Sequence, residues 1–311
     1  MKLFFIIVFS KYANIWVIFI LKGIIMPKVS IITDTDSSLP KEMAAEYNIL
    51  QVPISIHFNE ELSGTDHNID NAQLFKKIDE TGELPTTAAP TPGVFVEYFK
   101  KAFKAEKPDT LIYFSISGEM SATIKSAQIA AEDLKSDYDI RVVDSNMLSM
   151  AQGYMVLAAA EAARNGASAE EAIKAAEKVK QNTVLYGALS TLKYLSLSGR
   201  VSHVAAGMAG MLNIKPILSV QNGKLELLEK VRTRKKSWKR MIELVKADVG
   251  SHAIEHAAIM HVHAEDAARQ FETIFRSELD CPAEMPIIDF NPGLSVHTGA
   301  GLVGVCLVIE K

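Results

Sequence analysis

The chain has 311 residues, 48% of them hydrophobic and 23% charged, with 33 Lys and Arg against 37 Asp and Glu. That length and apolar content suit one large or two medium domains and exclude a disordered chain. The formal charge of −4 argues against a surface built wholly for nucleic acid and leaves room only for a local basic patch.

The first 25 residues, MKLFFIIVFSKYANIWVIFILKGII, differ from everything after them. Lys11 and Asn14 split the apolar stretch into pieces shorter than the ~20 residues that span a bilayer, and no small-residue cleavage site follows. Three readings stand: a poor membrane anchor, an amphipathic surface segment, or an upstream translation start, with Met26 in MPKVSIITD as the true initiator. The third is adopted here, so the extension 1–25 is set apart from the folded chain.

From Met26 onward, apolar runs rich in β-branched residues recur at 29–34, 50–58, 110–117 and 140–145, separated by segments of helical period. Continuous apolar strands with helices between them predict a parallel, Rossmann-like sheet covered on both faces, with ligands beyond the carboxyl ends of the strands. Two Ala-rich helices follow, one running from Ser149 to Gly166 and one capped by Ser168 with Glu171 three residues on. A second domain is expected from there, giving a division into 26–165 and 166–311. Its strand candidates are TVLYGAL, PILSVQN, KLELLEKVR, AIMHVH, MPIIDF and VGVCLVIE, with Asn222-Gly223 as a tight hairpin turn. They predict a mixed, largely antiparallel sheet with helices.

Several motifs are weaker than they look. GAGLVG at 299–304 matches G-x-G-x-x-G, but too little chain follows it for a dinucleotide-binding unit. HAIEH at 252–256 matches a zinc-protease spelling but runs into a strand-like segment, so surface histidines are expected and no metal site is assigned. The chain contains neither a G-x-x-x-x-G-K-[ST] loop nor G-x-S-x-G, which disfavours autonomous phosphoryl transfer or a common serine hydrolase. Cys281 and Cys306 show no C-x-x-C spacing and read as reduced thiols of a cytoplasmic protein.

Small polar residues collect at predicted strand ends instead. TDTDSS (33–38), SISGEMS (115–121) and DSNMLS (144–149) would converge on one rim of a parallel sheet. Ser121 falls near the start of the helix implied by Ile124, Ala127, Ala131 and Leu134, where unpaired N–H groups favour an anion; simple helix capping is the other reading. The segment ELPTTAAPTPGVFVEYF (83–99) reads as a proline-stiffened helix entry, and NPGLSVHTGAGLVG sets His297 among glycines that permit close backbone approach to a bound group. The run KVRTRKKSWKR (230–240) is the densest basic stretch: a solvated surface, a partner-docking site or a brief contact with anionic lipid.

Taken in order, IITDTDSSLP, TTAAPTPGVF, SISGEMSATIKSA, VVDSNMLSMAQG, YLSLSGRVS, KPILSVQNGKL, KVRTRKK and the terminal HTGAG resemble the DegV family of bacterial fatty-acid-binding proteins, from Met26 to Lys311. Each is short; their order and spacing together carry the resemblance. It implies a two-domain α/β protein with a long-chain fatty acid between the domains, its carboxylate meeting Thr87 and Ser121, with His297 beside them. Arg200 and Arg232 match arginines near the head group or a partner less securely. The chain departs where the family shows T-S-Q-P and S-G-T-Y, having TAAP and SATI instead, so Ala88, Ala89, Ala122 and Ile124 bear on tail preference and partner contacts.

For function, the resemblance implies a cytoplasmic carrier, not itself an enzyme, that presents a fatty acid to a separate ATP-binding fatty acid kinase subunit for acyl-phosphate formation and phospholipid synthesis. No cofactor, no nucleic acid and at most transient membrane contact are expected. Two alternatives remain: an enzyme acting on a small carboxylate or phosphate, with Asp34, Asp36, Asp144 and His297 as acid–base candidates, and a lipid sensor. A long apolar cavity favours the carrier, and a small polar bowl with paired carboxylates favours the enzyme.

Overall fold

A computed structural model of the chain describes residues 28–58, 62–199 and 214–311. The apolar extension and Arg200 lie outside the described residues.

Strands β1 (Val29–Asp34), β2 (Leu50–Val52), β6 (Thr110–Ser115) and β7 (Asp139–Asp144) form a parallel sheet in the order β2-β1-β6-β7. Alternation along each strand feeds two cores. Leu111 and Tyr113 face helices α3 (Pro92–Glu106) and α4 (Thr123–Leu134), while Ile112 and Phe114 face the opposite cluster. That second cluster holds Met155, Val156 and Ala159 of α5 (Ser149–Arg164) and, behind them, Ala169, Ala172 and Ala176 of α6 (Ala169–Gln181). Thr91 caps α3 by accepting from the Val94 amide, with Pro92 at the first helical position, and Ser168 and Glu171 complete a capping box on α6.

The run 50–58, expected as one strand, divides at Pro53. Beyond it β3 (Ser55–Phe58) leaves the parallel sheet and pairs antiparallel with β4 (Leu62–Thr65) and β5 (Thr86–Ala88) in a three-stranded sheet not anticipated from the sequence. A proline supplies no N–H to a ladder, which makes it a natural point for a strand to change sheets.

The second sheet runs β10-β9-β8-β13-β11-β12, from β8 (Thr183–Ala188), β9 (Lys215–Gln221), β10 (Lys224–Val231), β11 (Ile254–His261), β12 (Ile287–Asp289) and β13 (Val303–Ile309). All its pairings are antiparallel except β11 with β12, so it is mixed, as expected. The hairpin at Asn222-Gly223 joins β9 and β10. Val303, Val305 and Leu307 point to a core shared with α8 (Arg234–Val249) and α9 (Glu265–Glu278), whereas Cys306 and Val308 point the other way. The segment HAIEH opens β11 rather than a helix, and so does not set its imidazoles one helical turn apart.

The two domains meet across α5. Its first eight residues are all buried, and it contacts β1 and β6 on one side and β8 and β13 on the other. A helix apolar on every face can lie between two sheets, and its alanines let both approach closely. One apolar cluster therefore runs through both domains, joining Ile56, Leu148 and Met150 to Leu185, Leu218 and Met260. Ser117 adds a hydrogen bond across the junction by donating to the Gly223 carbonyl at 2.7 Å.

Candidate functional site between the domains

Beyond the carboxyl ends of β1 and β6, the polar loops of the first domain face the second sheet and leave a cavity of about 280 Å³. Its wall is mostly aliphatic. Ile54, Ile116 and Leu148 line it from the first domain, and Leu185, Leu218 and Met260 from the second. Thr87, Ser121 and His297, which the sequence singled out from distant stretches, all line this one space.

Each is positioned by its own element. Thr87 lies on β5 opposite Ile56, half-buried between exposed Thr86 and Ala88, as alternation along an edge strand requires. Ser121 stands just before α4 without acting as its N-cap, which is Ala122 and makes no side-chain cap bond. Its hydroxyl instead accepts from the Thr123 amide at 3.3 Å and lies 2.8 Å from the buried Thr123 hydroxyl. Ser121 thus presents its oxygen at a helix entry, where amide dipoles favour an anion.

His297 closes the group from the second domain. It sits at the end of α10 (Pro292–Thr298), whose cap Asn291 accepts from the Leu294 amide. His297 Nε2 lies 2.9 Å from Thr87 Oγ1, a contact that links residues 210 apart in sequence. Which atom donates depends on the imidazole tautomer; a protonated ring would donate here and leave the threonine hydroxyl to face an anion. The close approach expected of the neighbouring glycines is toward the protein itself: a Cβ on Gly299, which has φ +78°, would lie 2.2 Å from the Tyr194 ring. Gly299 thus lets the chain turn past Tyr194 on its way from His297 into β13.

Of the other candidates, Arg232, Asp144 and Asp34 fall outside the cavity wall. Arg232 is exposed just past β10 and is not in the cavity wall. Asp144 accepts from the Gly118 and Asn146 amides, the turn-stabilising role aspartates take at strand ends. Asp34 is fully buried and accepts from the Tyr113 hydroxyl, the Ile116 amide and the Gln152 amide, and burial raises its pKa to about 6. It is packed away from the cavity wall. Asp36 does reach the cavity, where burial, reinforced by the Asp34 and Asp66 carboxyls, pushes its pKa well up.

Asp66 and Asn291 had no signal in the sequence. The Asn291 side-chain amide donates to Asp36 Oδ1 at 3.2 Å and to Asp66 Oδ2 at 2.7 Å, tying the start of α10 to the first domain. Asp66 also accepts from Thr35 Oγ1 at 2.5 Å and from the Ile54 amide at 3.1 Å. Only the proximity of three loops from distant sequence creates this cluster. Among the described residues, no group of three or more His, Cys, Asp and Glu side chains is arranged to hold a metal ion, and no helix is long and apolar enough to cross a membrane.

Two α/β domains with a largely apolar cavity between them, its polar groups drawn from loops and helix ends, define a small-molecule-binding protein of the interdomain type. The model of the family described as "Uncharacterised protein, DegV family" matches residues 28–310, and the chain belongs to that family. It is 31% identical over 285 residues to Protein DegV of Bacillus subtilis, covering 89% of this chain and 98% of that one. It is 30% identical over 286 residues to a DegV domain-containing protein of Halalkalibacterium halodurans, covering 92% and 100%. Among solved structures, it is similar to DegV of Bacillus subtilis, described as a fatty acid binding protein, with 30% identity, a TM-score of 0.80 and coverage of 91% and 100%. A Thermus thermophilus DegV family protein, described for its fatty acid binding, matches with 25% identity, a TM-score of 0.84 and coverage of 91% and 100%.

Proposed function

We propose that this protein holds a long-chain fatty acid between its domains, with the tail in the aliphatic cavity and the carboxylate against Thr87, Ser121 and His297. The observation that carries this reading is that Thr87 and His297 touch, and Ser121 lines the same cavity, in a wall that is mostly aliphatic. The relatives described as fatty-acid-binding support it.

The physical division of labour is plain. Burial at ~0.8 kcal/mol per methylene gives a sixteen-carbon tail on the order of 10 kcal/mol before binding entropy is subtracted, so the tail dominates affinity. An unpaired carboxylate taken out of water costs several kcal/mol, roughly what hydroxyls and helix-entry amides offset. The head group therefore sets orientation.

In the same reading, the protein is a cytoplasmic carrier that presents this carboxylate to a separate ATP-binding kinase subunit for acyl-phosphate formation and phospholipid synthesis. The basic run supplies a docking surface for that subunit. Lys235 and Lys236 are exposed on the first turn of α8, and Arg234 lies over the Trp238 ring at 5.2 Å, whereas Arg240 is already bound to Glu229. The enzyme alternative finds less support, because Asp34 and Asp144 are engaged in holding loops together.

Native mass spectrometry of the purified protein, with extraction of its lipids, tests the carrier. A bound long-chain fatty acid is expected, with Ser121→Ala lowering acyl-phosphate formation by an added kinase subunit. Protein that is lipid-free and takes up neither palmitate nor oleate would overturn it. Charge reversal at Arg234 and Lys235 is expected to weaken kinase binding without changing fatty acid uptake.

A further inference from the structure

An aliphatic cavity made for a plain hydrocarbon has no use for a carboxyl group in its wall, yet Asp36 is there. Asp36 is 5% exposed and lines the same cavity as Thr87 and His297. One oxygen, Oδ1, accepts from Asn291 at 3.2 Å. The other, Oδ2, makes no hydrogen bond among the described residues, and it is not among the polar atoms sealed from solvent without a partner. Its residual exposure and the place of Asp36 in the cavity wall point that oxygen toward the cavity.

Gly293, in the first turn of α10, also lines the cavity, and a Cβ there would lie 3.2 Å from Asp36 Oδ1, 2.9 Å from Asn291 Nδ2 and 3.3 Å from Asp66 Oδ2. Any side chain at this position would crowd the carboxyl and its partners. His297 is four residues further along the same helix and so on the same face, one turn of about 5.4 Å away. Asp36 is therefore within a few carbons' reach of the proposed head-group position.

A plain acyl chain lying against this oxygen would bury it without a partner, which disfavours such a ligand. A hydroxyl on the chain near its carboxyl end would satisfy it. Burial among other carboxyls favours the neutral form of Asp36, so it can donate to or accept from a hydroxyl and does not repel the ligand's own carboxylate.

We propose that Asp36 is a specificity-determining residue, and that the cavity selects a long-chain fatty acid bearing a hydroxyl close to its carboxyl group. This rests on the fatty-acid reading above and narrows its ligand class. It uses Oδ2 of Asp36 and the register set by His297.

The test is calorimetric titration of delipidated protein with palmitate, with β-hydroxypalmitate and with the ω-hydroxy acid of the same length. The β-hydroxy acid is expected to bind about tenfold tighter than palmitate, the worth of one well-made hydrogen bond, and the ω-hydroxy acid no tighter than palmitate. In Asp36→Leu the preference is expected to vanish, the β-hydroxy acid and palmitate then binding alike. Equal affinities of the wild-type protein for palmitate and the β-hydroxy acid would overturn the proposal without a variant and so without concern for folding. A preference that survives in Asp36→Leu, or one shared by the ω-hydroxy acid, would overturn it as well. Failure to bind any of the three acids would instead sink the fatty-acid reading, and this inference with it.

Discussion

The wall that the first domain gives to the cavity carries Asp36, Thr87, Ser121 and Thr123 beside its aliphatic residues, whereas the second domain gives mostly leucines with Met260 and Phe290, and of its polar residues Tyr186, Ser219, Thr298 and His297 it is His297 that reaches Thr87. For Asp36, Ser121 and Thr123, though not for Thr87 on β5, the contrast follows from strand direction. In a parallel sheet every strand delivers its carboxyl end to the same rim, and each turn there needs small polar residues to satisfy free amides. An antiparallel sheet offers a broad face on which alternate residues all point one way, and a buried face becomes a continuous apolar surface. One domain can thus orient a ligand while the other solvates its tail.

That comparison breaks most severely if the apolar wall is made polar. Leu218 is 5% exposed and belongs both to the cavity wall and to the cluster shared by the domains. Leu218→Asp is expected to abolish fatty acid uptake and to destabilise the fold by about 4 kcal/mol, from lost burial and an unpaired buried charge. Lipid extraction and urea unfolding measure the two effects, and a variant that still carries lipid would show that the tail lies elsewhere.

The polar wall can be probed by pH. Burial raises Asp66 from 3.8 to about 6, so the folded protein keeps a proton there that the unfolded chain releases at lower pH. The stability due to that proton is full below about pH 4 and is lost as pH rises through about 6, the reverse of ordinary acid denaturation. Two units correspond to about 3 kcal/mol. The stability of the wild type relative to Asp66→Asn, from urea unfolding, is expected to fall by about that amount between about pH 4 and pH 8. A constant difference would mean that Asp66 is ionised in the fold.

Smaller effects sharpen the contrast. Thr87→Val keeps the shape of its strand but removes the hydroxyl that faces His297, and is expected to weaken fatty acid binding by about 10- to 100-fold with little change in melting temperature. Equal losses in affinity and stability would mark Thr87 as merely structural. Ser117→Ala removes the buried hydroxyl that donates to the Gly223 carbonyl across the junction, with an expected cost of about 1 kcal/mol in thermal unfolding. No loss would show that the apolar cluster alone holds the domains together.

The broad architecture was legible because its signals are local. Continuous apolar runs at 29–34 and 110–117, helical periods between them, and the Asn222-Gly223 turn each depend on neighbours in sequence. The departure of β3 into a third sheet was not legible in advance, since Pro53 marks a possible break but not where the chain goes next. Ser121 fell at a helix entry as its spacing implied, although Ala122 occupies the cap itself.

By itself, the sequence determined most strands and helices of the two main sheets and which of their faces are apolar, while the grouping of Thr87, Ser121 and His297 was what the family resemblance implied. Only the tertiary structure decided that Asn291 clasps Asp36 and Asp66, and that Asp36 lines an oily cavity. The physical reason is distance along the chain: periodicity and capping act over a few residues, whereas these contacts join loops more than 200 residues apart, and their geometry exists only once both domains have packed.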